Sequence, residues 1–176
     1  MKDLPPSDQC LSRMRSFREI YDAEVGYVGR VLLRFGAAPK DLEDLVQEVF
    51  VVVHKRRHDY DPSRPIRPWL CGIAFRVASD WRRRAFQREV PSSPRDEPTS
   101  LPAADRRLIA HEAVQRGLAG LSFEHRAVIV LCDLEGHTAA EACAVLGVPL
   151  GTVYSRLHEA RRAFAAAVRA GEGAAA

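Results

Sequence analysis

Residues 138–162 read TAAEACAVLGVPLGTVYSRLHEARR, and the order of small, turn-forming and polar residues in this stretch decides the fold class. Thr138, followed three residues later by Glu141, is a capping box in which each side chain satisfies a backbone N–H that a helix start leaves free. The helix it opens is short and ends at Gly147. A second helix begins near Leu150, and on it Val153, Leu157, Ala160 and Phe164 recur at three- and four-residue spacing, the stripe of a buried face. By the same geometry Thr152, Ser155, His158, Glu159 and Arg162 point outward, flanked by Tyr154 and Arg161. A short capped helix, a glycine turn and a longer helix form a helix-turn-helix, with the small residues Ala142 and Gly147 expected to let the two helices approach closely. The candidate reading set is Thr152, Tyr154, Ser155, Arg156, His158, Glu159, Arg161 and Arg162. These are short polar groups and arginines, able to meet base edges or phosphates in a major groove.

Upstream of this motif the chain is helical throughout. One helix is expected from about Asp105 to Ala119 and another from a Ser122 cap to about Asp133. In the N-terminal half, Phe17, Ile20, Tyr21, Val28, Val31, Leu32 and Phe35 mark an amphipathic helix that Gly36 and Pro39 end. A second starts near Asp41 as N-cap, burying Leu42, Leu45, Val46, Val49, Phe50 and Val53 and showing Glu43, Asp44, Gln47 and Glu48 on its other side. A loop with three prolines, HDYDPSRPIRP at 58–68, leads to a third helix. This one buries Trp69, Leu70, Ile73, Ala74, Val77, Ala78 and Trp81 and ends in the basic run Arg82, Arg83 and Arg84. No period-2 alternation marks a strand, so the reading is all-α.

Residues 90–104, VPSSPRDEPTSLPAA, hold four prolines, three serines and a threonine, the composition of an extended linker. The expected organisation is two small helical domains, 12–88 and 105–170, joined by a flexible linker at 89–104. Charge separates the halves only mildly: residues 1–94 carry 17 Lys/Arg against 13 Asp/Glu, and residues 95–176 carry 9 against 10. Bulk charge therefore does not establish nucleic-acid binding, and local placement has to. The four cysteines (Cys10, Cys71, Cys132 and Cys143) form no CxxC or Cys/His cluster and read as small apolar residues. His54 and His58 have metal-ligand spacing without a third ligand, and no phosphate loop, GxSxG elbow or HExxH is present, so no metal, cofactor, small-molecule substrate or enzymatic activity is expected. With no apolar run of about 20 residues and no signal-like N-terminus, the expectation is a cytoplasmic protein without membrane insertion.

The stretch 138–162 resembles the promoter-reading helix-turn-helix of extracytoplasmic-function (ECF) sigma factors, whose usual run is close to LGVPxGTVxSRLxRAR. DLEDLVQEVF at 41–50 is similar to the polymerase-binding helix of that family, and DPSRPIRPWL through VASDWRRR at 61–84 to its minus-ten loop and helix. The motifs occur in the family's order around a variable linker. The resemblance implies that Asp44, Gln47 and Glu48 dock on the core RNA polymerase. It implies that Asp59, Tyr60, Asp61, Ser63 and Arg64 surround a base flipped from the minus-ten element, where a pocket that recovers the unstacking cost selects sequence. It implies that Arg76, Arg82, Arg83 and Arg84 follow phosphates there, a salt-dependent contribution. The helix-turn-helix set would then read the minus-thirty-five element. Arg76 stands where the family often has Asn, Tyr154 where Lys or Arg is usual and Glu159 where Arg is common, departures that point to an individual promoter preference.

The partners implied are core polymerase, promoter DNA and a separate anti-sigma factor wedged between the halves. Two other readings compete: a one-domain helix-turn-helix transcriptional regulator, which would need a receiver or ligand domain in place of the three N-terminal helices, and a polymerase-binding adaptor without initiation activity, which would give the Ser155–Arg162 face no purpose.

Overall fold

The computed structural model describes residues 16–88 and 106–173; the linker at 89–104 lies outside them, as does Cys10. The described residues contain helices and turns and no strand. In the N-terminal half, α1 (Phe17–Arg34), α2 (Leu42–Arg56) and α3 (Ile66–Arg88) pack pairwise against one another. Helix α1 opens on a capping box: the Ser16 Oγ accepts from the Glu19 N–H at 3.2 Å, and the Glu19 carboxylate accepts from the Ser16 N–H at 2.7 Å. It stops at Gly36, which takes φ +94°. Asp41 stands at the N-cap of α2, but its side chain makes no cap bond. A single 3-10 turn, Pro39–Asp41, leads into the helix instead. Helix α3 starts at Ile66, a turn earlier than Trp69, because the Pro65 and Pro68 φ angles suit a first helical turn.

The C-terminal half gathers α4 (Arg106–Ala119), α5 (Phe123–Ile129) and α6 (Ala139–Leu146) against the long α7 (Leu150–Gly173). Ser122 caps α5 through the His125 N–H, as its sequence position suggested. At its end α5 widens into a π turn over Val130–Leu134, in which the Glu135 N–H donates to the Val130 carbonyl five residues back at 2.9 Å. On α7, Val153, Leu157 and Ala160 are buried and Phe164 is half-buried, the expected inward stripe. Helix α4 approaches α7 at Gly117, where a Cβ would lie 2.5 Å from the Phe164 ring. The small residue that permits close packing is thus Gly117, together with the fully buried Ala142.

Gly147 has a different role. A Cβ there would meet nothing within 4 Å, and its φ of +68° is what the turn requires. Its N–H donates to the Cys143 carbonyl at 2.8 Å, closing α6 in the left-handed cap that glycine adopts without strain. Gly147→Ala is therefore expected to cost about 1–2 kcal/mol through backbone strain alone, and Gly147→Asn distinctly less. Equal losses in thermal unfolding would contradict this account.

The two halves meet. Leu32, Leu70 and Cys71 from the first belong to the same continuous apolar cluster as Leu118, Leu131 and Ala142 from the second. The Phe75 and Phe123 rings stack at 5.8 Å across the contact.

Candidate polymerase and nucleic-acid interfaces

The sequence-predicted reading set on α7 is solvent-facing. Tyr154, Ser155, His158, Glu159, Arg161 and Arg162 are exposed, while Thr152 and Arg156 are half-buried. Intramolecular partners orient several of them. Arg161 forms a two-pronged pair with Asp133 at 2.9 and 2.6 Å, which ties α7 to the π turn. Glu159 lies 3.4 Å from His125 of α5, and the Ser155 Oγ donates to the Thr152 carbonyl at 3.1 Å. His158 and Arg162 follow Tyr154 at one and two turns along the exposed side of the helix. This face can offer donors, one acceptor carboxylate and an aromatic surface to a groove.

The short helix α6, which packs against α7 ahead of this face, opens on the Thr138 box. The Glu141 carboxylate accepts from the Thr138 N–H at 2.8 Å, while the Thr138 Oγ1 accepts from the Glu141 N–H at 3.2 Å. These bonds, the backbone one foremost, hold the Glu141 carboxyl below the usual carboxylate range. A depressed folded-state pKa means stability that is fully present above the ordinary carboxylate value and lost as pH falls through the lowered one. The melting-temperature gap between the parent chain and Glu141→Ala is expected to be constant near neutrality and to close in acid. A gap independent of pH would exclude the charge-assisted cap.

In the N-terminal half, Asp44 and Gln47 are exposed on α2 and Glu48 is half-buried. Glu48 accepts two hydrogen bonds from Arg84 of α3, at 3.2 and 2.9 Å. The sequence grouped Arg84 with phosphate-following arginines, whereas in the structure its guanidinium belongs to the acidic face and fixes the Glu48 rotamer. Between the helices lies a cleft of about 200 Å³ lined by Asp41, Asp44, Leu45, Glu48, Trp81 and Arg84. Trp81 is therefore a wall of this cleft, and Trp69 is half-buried against the Tyr60 ring at 5.2 Å.

The loop ahead of α3 is ordered by its own polar groups. Asp61 Oδ1 accepts from the Ser63 N–H at 2.9 Å and the Ser63 hydroxyl at 2.7 Å, which lowers the Asp61 pKa below its usual range. Tyr60 donates to the Arg64 carbonyl, and Asp59 pairs with Arg56 at 3.0 Å. Arg64 itself is exposed, 3.6 Å from Asp61. On α3, Arg76 and Arg83 are exposed, Arg83 pairing with Asp80 at 3.0 Å, and Arg82 lies over the Phe123 ring of the other half at 4.8 Å. The structure thus brings the loop residues into one turn. It spreads the four arginines over three settings: solvent for Arg76 and Arg83, the acidic face for Arg84 and the contact between halves for Arg82.

Comparison with known proteins follows this division. Residues 20–87 match the Sigma-70 region 2 family and residues 111–164 match Sigma-70 region 4. The chain is 36% identical over 154 residues to the ECF RNA polymerase sigma factor SigL of Mycobacterium tuberculosis, an alignment spanning 83% of this chain and 85% of that protein. The chain belongs to the ECF family of RNA polymerase sigma factors. It is also 35% identical to the ECF sigma factor SigE of Mycolicibacterium smegmatis, covering 85% of this chain but 60% of that longer protein. Among solved structures, CnrH in complex with the cytosolic domain of CnrY is similar over 88% of each chain, with a TM-score of 0.60 and 28% identity. The Bartonella quintana sigma factor RpoE, solved with the anti-sigma factor NepR, shares the fold at a TM-score of 0.65 and 19% identity over 87% of this chain and 96% of that one.

Sequence reasoning missed one polar site of this family member. Glu24, with 6% of its surface exposed, and His137, also at 6%, are buried, and they sit beside Tyr27, Arg34, Arg67 and Glu135 where the halves touch. The signal was present: Glu24 lies four residues from both Ile20 and Val28, on the stripe that α1 buries.

Proposed function

We propose that this chain binds core RNA polymerase through the α2 face, Asp44, Gln47 and Glu48, and directs transcription from a specific promoter. In this reading the 58–68 loop and α3 engage the minus-ten element, and the outward face of α7 reads the minus-thirty-five element. The observation that carries it is the separation of two exposed recognition surfaces onto two helical units, each matching a different sigma region. Charged side chains on a rigid helix suit the first task because they set register and partner choice. Exposed polar side chains on a helix behind a glycine turn suit the second. Taken as domains, 12–88 carries polymerase and minus-ten contacts, 89–104 links, and 105–170 carries the helix-turn-helix.

The chain's work is recognition and not catalysis, and its setting is the cytoplasm. The likeness to proteins named as RNA polymerase sigma factors supports this reading; among the described residues no helix is long and apolar enough to cross a membrane. An anti-sigma partner is part of the reading. The solved complex of CnrH with the cytosolic domain of CnrY supports a protein partner for this chain, given the shared arrangement over 88% of its length.

Run-off transcription with core polymerase on a genomic promoter library tests the proposal. Discrete transcripts that disappear with Gln47→Ala/Glu48→Ala are the expected result. Binding of polymerase without any transcript would make the chain an adaptor.

A further inference from the structure

The contact between the halves has an unusual composition for an interior. Glu135, which caps the π turn, keeps only 7% of its side chain exposed. Its carboxylate accepts a hydrogen bond from the Tyr27 hydroxyl at 2.6 Å and pairs with Arg34, and both partners come from α1 of the other half. The Tyr27 hydroxyl also lies 3.4 Å from the Arg67 carbonyl, while the Arg67 guanidinium stacks over the Tyr27 ring at 5.0 Å and pairs with buried Glu24 at 3.0 Å. One turn further, the His137 Nε2 reaches the Pro68 carbonyl of α3 at 3.3 Å. Close steric fit accompanies the polar ties: a Cβ on Gly36 would lie 2.1 Å from Arg126, and one on Gly72 would lie 3.3 Å from Val145.

A closed chain cannot span a promoter. A compact protein of 176 residues has a radius of gyration of about 16 Å, so it is roughly 40 Å across. Elements centred 35 and 10 base pairs before a start site lie about 85 Å apart at about 3.4 Å per base pair. The α2 face and the α7 reading face are both exposed in the closed form. Closure therefore withholds reach and leaves the recognition surfaces uncovered.

We propose that Glu135, clasped by Tyr27 and Arg34 across the two halves, is an autoinhibitory latch that keeps the free chain closed, and that promoter engagement requires its release. The proposal rests on the sigma reading of both halves. An ion pair suits this task better than more apolar surface would. Its desolvation cost offsets most of its Coulomb gain, so the closed form is specified without being made much more stable, and the charges rehydrate readily once apart. Removing one partner, by contrast, leaves the other charge buried alone, and opening then becomes the favourable outcome.

Two measurements test the latch. Small-angle scattering of the free chain is expected to give a radius of gyration near the compact value for the parent and a larger one, by several ångströms, for Arg34→Glu. The charge-swapped Arg34→Glu/Glu135→Arg chain should return toward the compact value. A parent already extended, or an Arg34→Glu chain as compact as the parent, overturns the proposal. The second measurement locks the contact with Gly72→Cys/Val145→Cys, in a chain whose four native cysteines are alanine. The disulfide should form on oxidation, cut run-off transcription at least tenfold, and release it on reduction. Failure of the disulfide to form, or full transcription by the oxidised chain, overturns the latch. A reduced chain that never transcribes counts against the sigma reading itself, while scattering still decides whether the halves are latched.

Discussion

A chain carrying Asp44→Ala, Gln47→Ala and Glu48→Ala is expected to keep its fold and to lose polymerase-dependent transcription by about 100-fold or more. The fold survives because Asp44 and Gln47 are exposed, and the one cross-helix tie of Glu48, to Arg84, is a half-exposed ion pair. Such pairs contribute about 0–1 kcal/mol. The functional loss follows from the geometry of the face. One guanidinium nitrogen of Arg84 holds both carboxylate oxygens of Glu48, and Asp44 lines the same cleft, so the acceptors are preorganised before any partner arrives. Truncating one member of an interfacial charge pair typically costs about 2–5 kcal/mol, and about 2.7 kcal/mol is already a hundredfold. Titration of labelled chain with core polymerase, beside circular dichroism of the same samples, provides the check. Unchanged affinity in the triple variant would remove α2 from the polymerase interface.

Leu70→Ala is expected to lower the unfolding free energy by about 2–5 kcal/mol. Leu70 has none of its surface exposed and stands in the first turns of α3, where the N-terminal core joins the cluster shared with the C-terminal half. Removing its side chain leaves a void that neighbours on both sides can only partly fill. Since domain stabilities run about 5–15 kcal/mol, this one change takes a large share of the total. Val51→Ala is the matching control: Val51 is 51% exposed, and its loss should stay within about 0.5 kcal/mol. Denaturant unfolding of both variants measures the contrast, and similar losses would mean that α3 is not packed as described.

The parts of this fold that were legible from the chain are those set by short-range rules. The Thr138 box, the Ser122 cap and the inward stripe of Val153, Leu157 and Ala160 are each decided by residues within a turn or two of one another. The outward set on α7 followed from the same periodicity. What escaped was decided by contacts between residues far apart in sequence. Glu135 and Tyr27 are 108 residues apart and His137 and Pro68 are 69 apart, and no periodicity relates them. Arg84 illustrates the same limit: in the sequence it is one of three successive arginines, and only the packing of α3 on α2 gives it Glu48 as a partner. Gly147 was placed correctly as a turn, but its service is a backbone angle and not closeness, a distinction that only the open space around it in the fold decides.

The π turn at Val130–Leu134 acts as a phase setter. Each residue of an α-helix advances the direction of its side chains by about 100°, so the one extra residue that a π turn accommodates re-aims everything after it. Here that shift points Glu135, which closes the turn, toward Tyr27 and Arg34 of α1, while Asp133, still inside the turn, meets Arg161 on α7. A single-residue deletion within 130–134 would tighten the segment to ordinary helix and swing the Glu135 carboxylate away from α1, without altering any exposed side chain of α2 or α7. How firmly the halves hold each other is thus written in the length of one short segment, which can vary independently of either recognition surface.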